Sequence, residues 1–322
     1  MKRLYHTIVI AVLSICLLPQ EALAAELLIP GGNVIGLELR DDSVTVAAFD
    51  DALGGNAREA GLRIGDEILK INGTIIDCTE DVRSTLKECR GNVELIVSRD
   101  GKQHKLVFAP QNTEEGPRLG VYLRCGITGI GTVTYYDPET REFGSLGHGV
   151  SDPKGGLAAM TGGTVYTGRI LSIVKGQAGT PGQLKGSADA DHAVGMLMKN
   201  TPQGVFGSSR EGWRGEPLPV ADYDEIKTGP AVIRSTVIGD TVQEYSVEIL
   251  KIYPEDRSDC RNFLIRVTDP KLLETTGGIV QGMSGSPICQ NGKIVGAVTH
   301  VLVNQPDTGY GIFIENMLQA AG

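Results

Sequence analysis

The stretch "GGIVQGMSGSPICQNGKIVGAVTH", residues 277–300, places Ser284 in a glycine-rich turn and a proline, Pro287, just after it. Beyond the proline, the apolar residue Ile288 and the apolar run Ile294–Val298 are separated by Asn291-Gly292. Asn-Gly between apolar segments marks a two-residue hairpin, because both residues tolerate the positive φ that a turn matching the strand twist requires. The stretch therefore reads turn, strand, turn, strand, and no helix follows Ser284 directly.

That order decides between two ways of presenting a nucleophilic serine. The α/β-hydrolase pattern G-x-S-x-G sits on a strand-to-helix turn, which the proline and the hairpin rule out here. The sequence G-M-S-G-S-P, Gly282 to Pro287, instead fits the G-x-S-G-[GS]-P loop of chymotrypsin-like β-barrels. Its glycines let the backbone turn so that two N–H groups, those of Gly282 and Ser284, point at a developing oxyanion. A serine hydroxyl also needs a base to take its proton. Of five histidines, His6 lies in the N-terminal segment, His104 in an upstream module, His192 in polar "ADADHA", and His300 at the end of the strand after the hairpin. His148 in "FGSLGHGVSD" has glycines on both sides and precedes the serine, the chain order of this fold, and is the expected base.

The whole chain agrees with this class. Its 322 residues suit two domains, and 43 glycines against six phenylalanines and one tryptophan favour a turn-rich, mostly β protein. A net charge of -9, with no run of lysine or arginine longer than a pair, excludes nucleic acid and an anionic membrane surface as electrostatic partners. Residues 1–25 read as a signal peptide or membrane anchor: Lys2 and Arg3, the apolar stretch Ile8 to Leu18, then Ala22-Leu23-Ala24. The apolar stretch is shorter than the roughly 20 residues of a membrane span, which favours cleavage after Ala24, and either way the body is exported. Bulky Ile15 argues against a lipid anchor at Cys16. The remaining cysteines, at 78, 89, 125, 260 and 289, form no C-x-x-C pair, so neither a metal, a cofactor nor a disulfide framework is expected, and they read as buried small apolar thiols.

Residues 27–109 read as a separate α/β module. "NAREAGLRIGDEILKINGTII" gives a Gly65-Asp66 turn, a strand and an Asn72-Gly73 turn, and "CTEDVRSTLKECRG" gives a short amphipathic helix with Thr79 as N-cap, Val82, Leu86 and Cys89 on one face and Gly91 as stop. Strands Val93 to Val97 and His104 to Phe108 join through Asp100-Gly101. This order resembles a PDZ domain of the bacterial type. The resemblance implies a peptide-binding strand at Ile35-Gly36-Leu37 with Val82 and Leu86 as the facing wall. Residues 110–117, "PQNTEEGP", read as a linker to a chymotrypsin-like double β-barrel at 118–322.

"FGSLGHGVSD", "NTPQGVFG", "VTDPKLLETTGGIVQGMSGSPI" and "IVGAVTHVLVNQPDTGYGIFIENML" together closely resemble the stage IV sporulation protein B (SpoIVB) serine peptidases, over nearly the whole chain. The resemblance implies His148 as base, Ser284 as nucleophile and Asp269 as the acidic member. It also implies export to the forespore intermembrane space, self-cleavage near the N-terminus, and cleavage of the inhibitory subunit of a membrane metalloprotease complex that activates a late sigma factor. From the residues alone, the alternative for Asp269 before Pro270 is a turn cap, with Asp152 and Asp240 as the spare acids. The rival function is a catalytically inactive scaffold whose module recruits a regulatory partner.

Overall fold

The computed structural model describes residues 27–152, 155–254, 257 and 259–322. The expectations for residues 1–25 lie outside the described residues. Short β1 (Leu27–Pro30) leads into β2 (Val34–Phe49), whose buried apolar positions change parity midway. Ile35, Leu37 and Leu39 are odd, Val44 and Val46 are even, and the register against the partner strand shifts between Leu39 and Val44. A parity change turns the apolar face over. One strand thereby feeds two cores.

The second half of β2 enters a small unit made of α1 (Gly55–Glu59), β3 (Glu67–Ile71), β4 (Thr74–Ile75), α2 (Thr79–Lys87), β5 (Val93–Arg99), β6 (Lys102–Phe108), β7 (Gln111–Thr113) and β8 (Gly116–Arg118). Its core joins Val44 and Val46 to Ile68, Val82, Leu86 and Leu95. Helix α2 is capped one residue earlier than expected: Cys78 is the N-cap, and Asp81 accepts the amides of Asp77 and Cys78, each at 3.0 Å. β9 (Val121–Tyr136) then runs back along β2, first beside Val44–Phe49 and then beside Val34–Leu39. The unit is thus an insertion between two strands of a barrel. Residues 34–39, expected in the module, belong to that barrel, and the expected linker contains the β7–β8 hairpin.

β9, β10 (Glu142–Ser145), β11 (Gly162–Val174), β12 (Gln183–Thr201) and β13 (Gly204–Ser209) close with β2 into the first barrel, in the spatial order β9-β10-β13-β12-β11-β2. Its core includes Ile35, Leu37, Leu39, Val133, Phe143 and Val205. β14 (Leu218–Pro219) pairs with β1 on the outside. The second barrel is β15 (Gly229–Thr236), β16 (Val242–Ile252), β17 (Phe263–Val267), then α3 (Pro270–Thr276), β18 (Pro287–Gln290), β19 (Lys293–Leu302) and β20 (Gln305–Phe313), closed in the order β15-β16-β17-β20-β19-β18. Helix α4 (Ile314–Ala321) follows β20. The architecture is the expected chymotrypsin-like double barrel, with His148 carried by the first barrel and Ser284 by the second.

Candidate active site

His148 follows β10 at the end of a tight reversal. Leu146 and Gly147 both have φ of 67°, a region costly for a leucine, and the Gly147 amide bonds back to the Ser145 carbonyl at 2.8 Å. Gly149 is required by packing, since a Cβ there would lie 2.7 Å from the Thr201 carbonyl oxygen. Asn200 clamps the chain after the histidine: its Oδ1 accepts the Val150 amide and its Nδ2 donates to the Val150 and Ala158 carbonyls, all at 2.9 Å. Two residues beyond the ring, the backbone is therefore held by a side chain from β12.

The imidazole is half-buried beside a cavity of about 660 Å³ lined by Leu37, Leu39, Leu146 and His300 among others. Its Nδ1 lies 2.9 Å from the Gly149 carbonyl. A proton assigned to Nδ1 satisfies that carbonyl and leaves Nε2 as the free acceptor a general base needs. Burial pushes the His148 pKa below its ordinary 6.5, against the smaller raising effect of the Gly149 carbonyl. That shift favours the neutral ring a general base needs. Its centroid is 5.3 Å from that of His300, whose own pKa is pushed down by desolvation and then by the neighbouring His148.

Ser284 sits in the turn before β18, between Gly282 at φ 100° and Gly285 at φ 95°. A Cβ at Gly285 would lie 2.1 Å from the Thr132 carbonyl oxygen, so only glycine lets the turn approach the first barrel this closely. The turn is braced on both sides. Gly285 donates to the Val298 carbonyl at 2.8 Å and Ser286 to the Met283 carbonyl at 3.0 Å, while Thr132 and Thr134 of β9 donate their hydroxyls to the Gly282 and Gly285 carbonyls, both at 2.8 Å. Among the described residues, the amides of Gly282 and Ser284 donate to nothing, which leaves both for an oxyanion. The Ser284 hydroxyl donates to the Thr299 carbonyl at 2.7 Å. Ser286 is fully buried and spends its hydroxyl on Ser235 at 3.0 Å.

The structure brings His148, Gly282 and Ser284 to the junction of the barrels. It does not bring Asp269 there. The Asp269 carboxylate caps α3, accepting the Leu272 amide at 3.0 Å, and also takes the Ser246 amide at 3.4 Å. Asp269 lies beyond the end of β17 at Val267, beside Ser246 of β16, and is not among the residues lining the cavity with His148 and His300. Asp152 accepts the Gly156 amide at 3.0 Å within its own turn, and Asp240 lies by a different cavity with Trp213. Among the described residues no carboxylate is bonded to His148, and no group of three metal-ligating side chains exists. Asp259 lines the cavity with His148 and His300, but its oxygens are taken by Arg257 at 2.8 and 2.6 Å. Thr132, Thr134, Asn200 and Thr299 escaped the sequence reading. Only the alternation Thr132-Val133-Thr134 in a strand with no polar partner in sequence hints at inward hydroxyls.

The peptide-binding residues also divide. Ile35 and Leu37 are buried, and their strand is paired on one edge with β9 and on the other with β11, so no peptide can add beside Ile35-Gly36-Leu37. Val82 and Leu86, each 3% exposed, do line a groove of about 610 Å³. It is also lined by Leu119, just before β9, and by Val121 and Leu123 at the start of β9.

The SpoIVB peptidase S55 family profile matches residues 115–318, more than half of the chain. No curated protein sequence matches. Among solved structures, the Rv3671c protease of M. tuberculosis is similar at 16% identity: its inactive form with TM-score 0.36 over 60% of this chain and 84% of that chain, its active form with TM-score 0.35 over 61% and 75%.

Proposed function

We propose that this chain, which belongs to the SpoIVB peptidase S55 family and is a serine peptidase, is an exported enzyme of sporulation signalling that cleaves itself and a membrane-bound regulatory protein. The observation that supports the reading is that Ser284, in a turn whose Gly282 and Ser284 amides are free, bonds the Thr299 carbonyl while the His148 ring from the other barrel packs beside His300, the next residue. The Ser284 hydroxyl leaves Thr299, gives its proton to Nε2 of His148, and attacks the scissile carbonyl. The two amides hold the oxyanion of the tetrahedral intermediate, and His148 returns the proton to the leaving amine. Water, deprotonated by the same ring, then releases the acyl group from Ser284.

The regulatory substrate fits the inhibitory subunit of a membrane metalloprotease complex in the forespore intermembrane space, whose loss activates a late sigma factor. The groove between α2 and β9 would hold a peptide segment of that partner or of the chain itself, in the manner of a PDZ domain, with β9 rather than residues 35–37 as the receiving strand. Self-cleavage has to fall before Leu27. Leu28 is fully buried, and Ile29 and Pro30 pair with Tyr136 and Tyr135, so a cut inside β1 would strip a strand from β9. N-terminal sequencing of the full chain after incubation tests this: a new N-terminus at or before residue 27, absent from Ser284→Ala, is expected. The same processing in Ser284→Ala would refute self-cleavage by this serine.

A further inference from the structure

We propose that Thr132 is a positioning residue that ties the turn of the nucleophile and the loop of the base to one point of the first barrel. The inference rests on reading Ser284 as the nucleophile. Thr132 is 1% exposed and makes a bond to each loop: its hydroxyl donates to the Gly282 carbonyl at 2.8 Å, and its carbonyl accepts the Leu146 amide at 3.2 Å, two residues before His148.

The first bond acts on the oxyanion site. The Gly282 carbonyl belongs to the peptide between residues 282 and 283, flanked by the two peptides whose N–H groups serve the oxyanion. Gly282 has no side chain to restrict it, and at φ 100° it occupies a region where glycine has several low-energy alternatives. Nothing in the glycine itself fixes which way its peptide planes face. The middle plane is held from outside the glycine at both ends: the Met283 amide donates to the Val280 carbonyl at 3.1 Å within the turn, and the Thr132 hydroxyl ties the Gly282 carbonyl to the first barrel. The second bond places the residue with strained φ, Leu146, against the same strand position, so the spacing between the two loops is set by one residue of β9 rather than by either loop alone.

The residue type supports the assignment. At an interior position of a buried strand valine has the same shape and no hydroxyl to desolvate, and a buried hydroxyl is retained without cost only where it is bonded. Thr134 gives the contrast: it is equally buried, but its hydroxyl holds the Gly285 carbonyl, beyond the oxyanion amides.

The test is the second-order rate at which a fluorophosphonate labels Ser284, since that reaction also develops an oxyanion. Thr132→Val is expected to slow labelling about 10- to 100-fold, with the pH midpoint of labelling unmoved, while Thr132→Ser stays within about 3-fold of the native rate. Thr134→Val is expected to stay within about 3-fold as well. If Thr132→Val does not fold, as judged by thermal melting, Thr132→Ala is read in its place. Native-rate labelling of the Val or Ala variant, a Ser variant as slow as the Val variant, or equal slowing by Thr134→Val would overturn the proposal. Labelling of the native protein at a residue other than Ser284 would instead refute the premise about the nucleophile.

Discussion

Ser284 donates its hydroxyl to the Thr299 carbonyl at 2.7 Å, and the ring of His148 lies 5.3 Å from that of His300, the very next residue. Nucleophile and base therefore reach consecutive residues of β19 from the two barrels. Among the described residues they share no hydrogen bond, so the structure shows a resting hydroxyl that a single rotation about its Cα–Cβ bond releases from Thr299.

The electrostatics of His148 fix the pH dependence. Catalysis needs the neutral ring, and burial holds its pKa below 6.5, so kcat/KM should fall only as pH drops through a midpoint below 6.5 and should be flat from about pH 7 to 8. A pH–rate profile on a short peptide substrate checks this. A midpoint above 6.5 would indicate a carboxylate partner stabilising the charged ring, contrary to the geometry at Gly149.

Asp269 separates the structural from the catalytic reading of the family signature. As the N-cap of α3, its replacement by alanine should cost about 1 kcal/mol of stability, while Asp269→Asn, an equally good cap, should cost little. Turnover of Asp269→Asn should stay within a few-fold of the native enzyme. A loss of several orders of magnitude in kcat with an unchanged melting temperature would place Asp269 beside His148 during catalysis after all.

Local turn chemistry made much of this fold readable. Asn72-Gly73, Asp100-Gly101 and Asn291-Gly292 all form two-residue hairpins with positive φ at both positions, and the last of them orients β18 and β19 after Ser284. His148 could be singled out because its flanking glycines are structurally required: Gly147 bends the chain at φ 67°, and Gly149 admits the close approach of Thr201. What sequence could not convey was the path of β2. Its two apolar halves look like one strand of one module, and the parity change at Asp41-Asp42 signals a second core only when the long β9 is seen beside it. The same blindness misplaced the groove wall at residues 35–37, because which strand keeps a free edge is a property of tertiary pairing. Asp269-Pro270 carried two meanings in sequence, and only the direction of its carboxylate distinguishes them.

Burial also changes how the groove should be probed. Val82 and Leu86 are core residues of the small unit as well as groove walls, so Leu86→Ala should destabilise it by about 2–5 kcal/mol, and a charge there more. Rim residues avoid that confusion. Tyr122, 58% exposed, and Arg83 line the groove from outside the core, so Tyr122→Ala and Arg83→Glu should leave the melting temperature unchanged while lowering cleavage of a protein substrate relative to a short peptide. Equal loss on both substrates would make the unit a structural support of the barrel.

The most direct test of the central claim is covalent. Incubating the native protein with a fluorophosphonate and mapping the adduct should place it on Ser284, with labelling abolished in Ser284→Ala, reduced by orders of magnitude in His148→Ala, and largely kept in Ser286→Ala, whose hydroxyl is buried against Ser235. An adduct on Ser286, or labelling that persists in Ser284→Ala, would contradict the account.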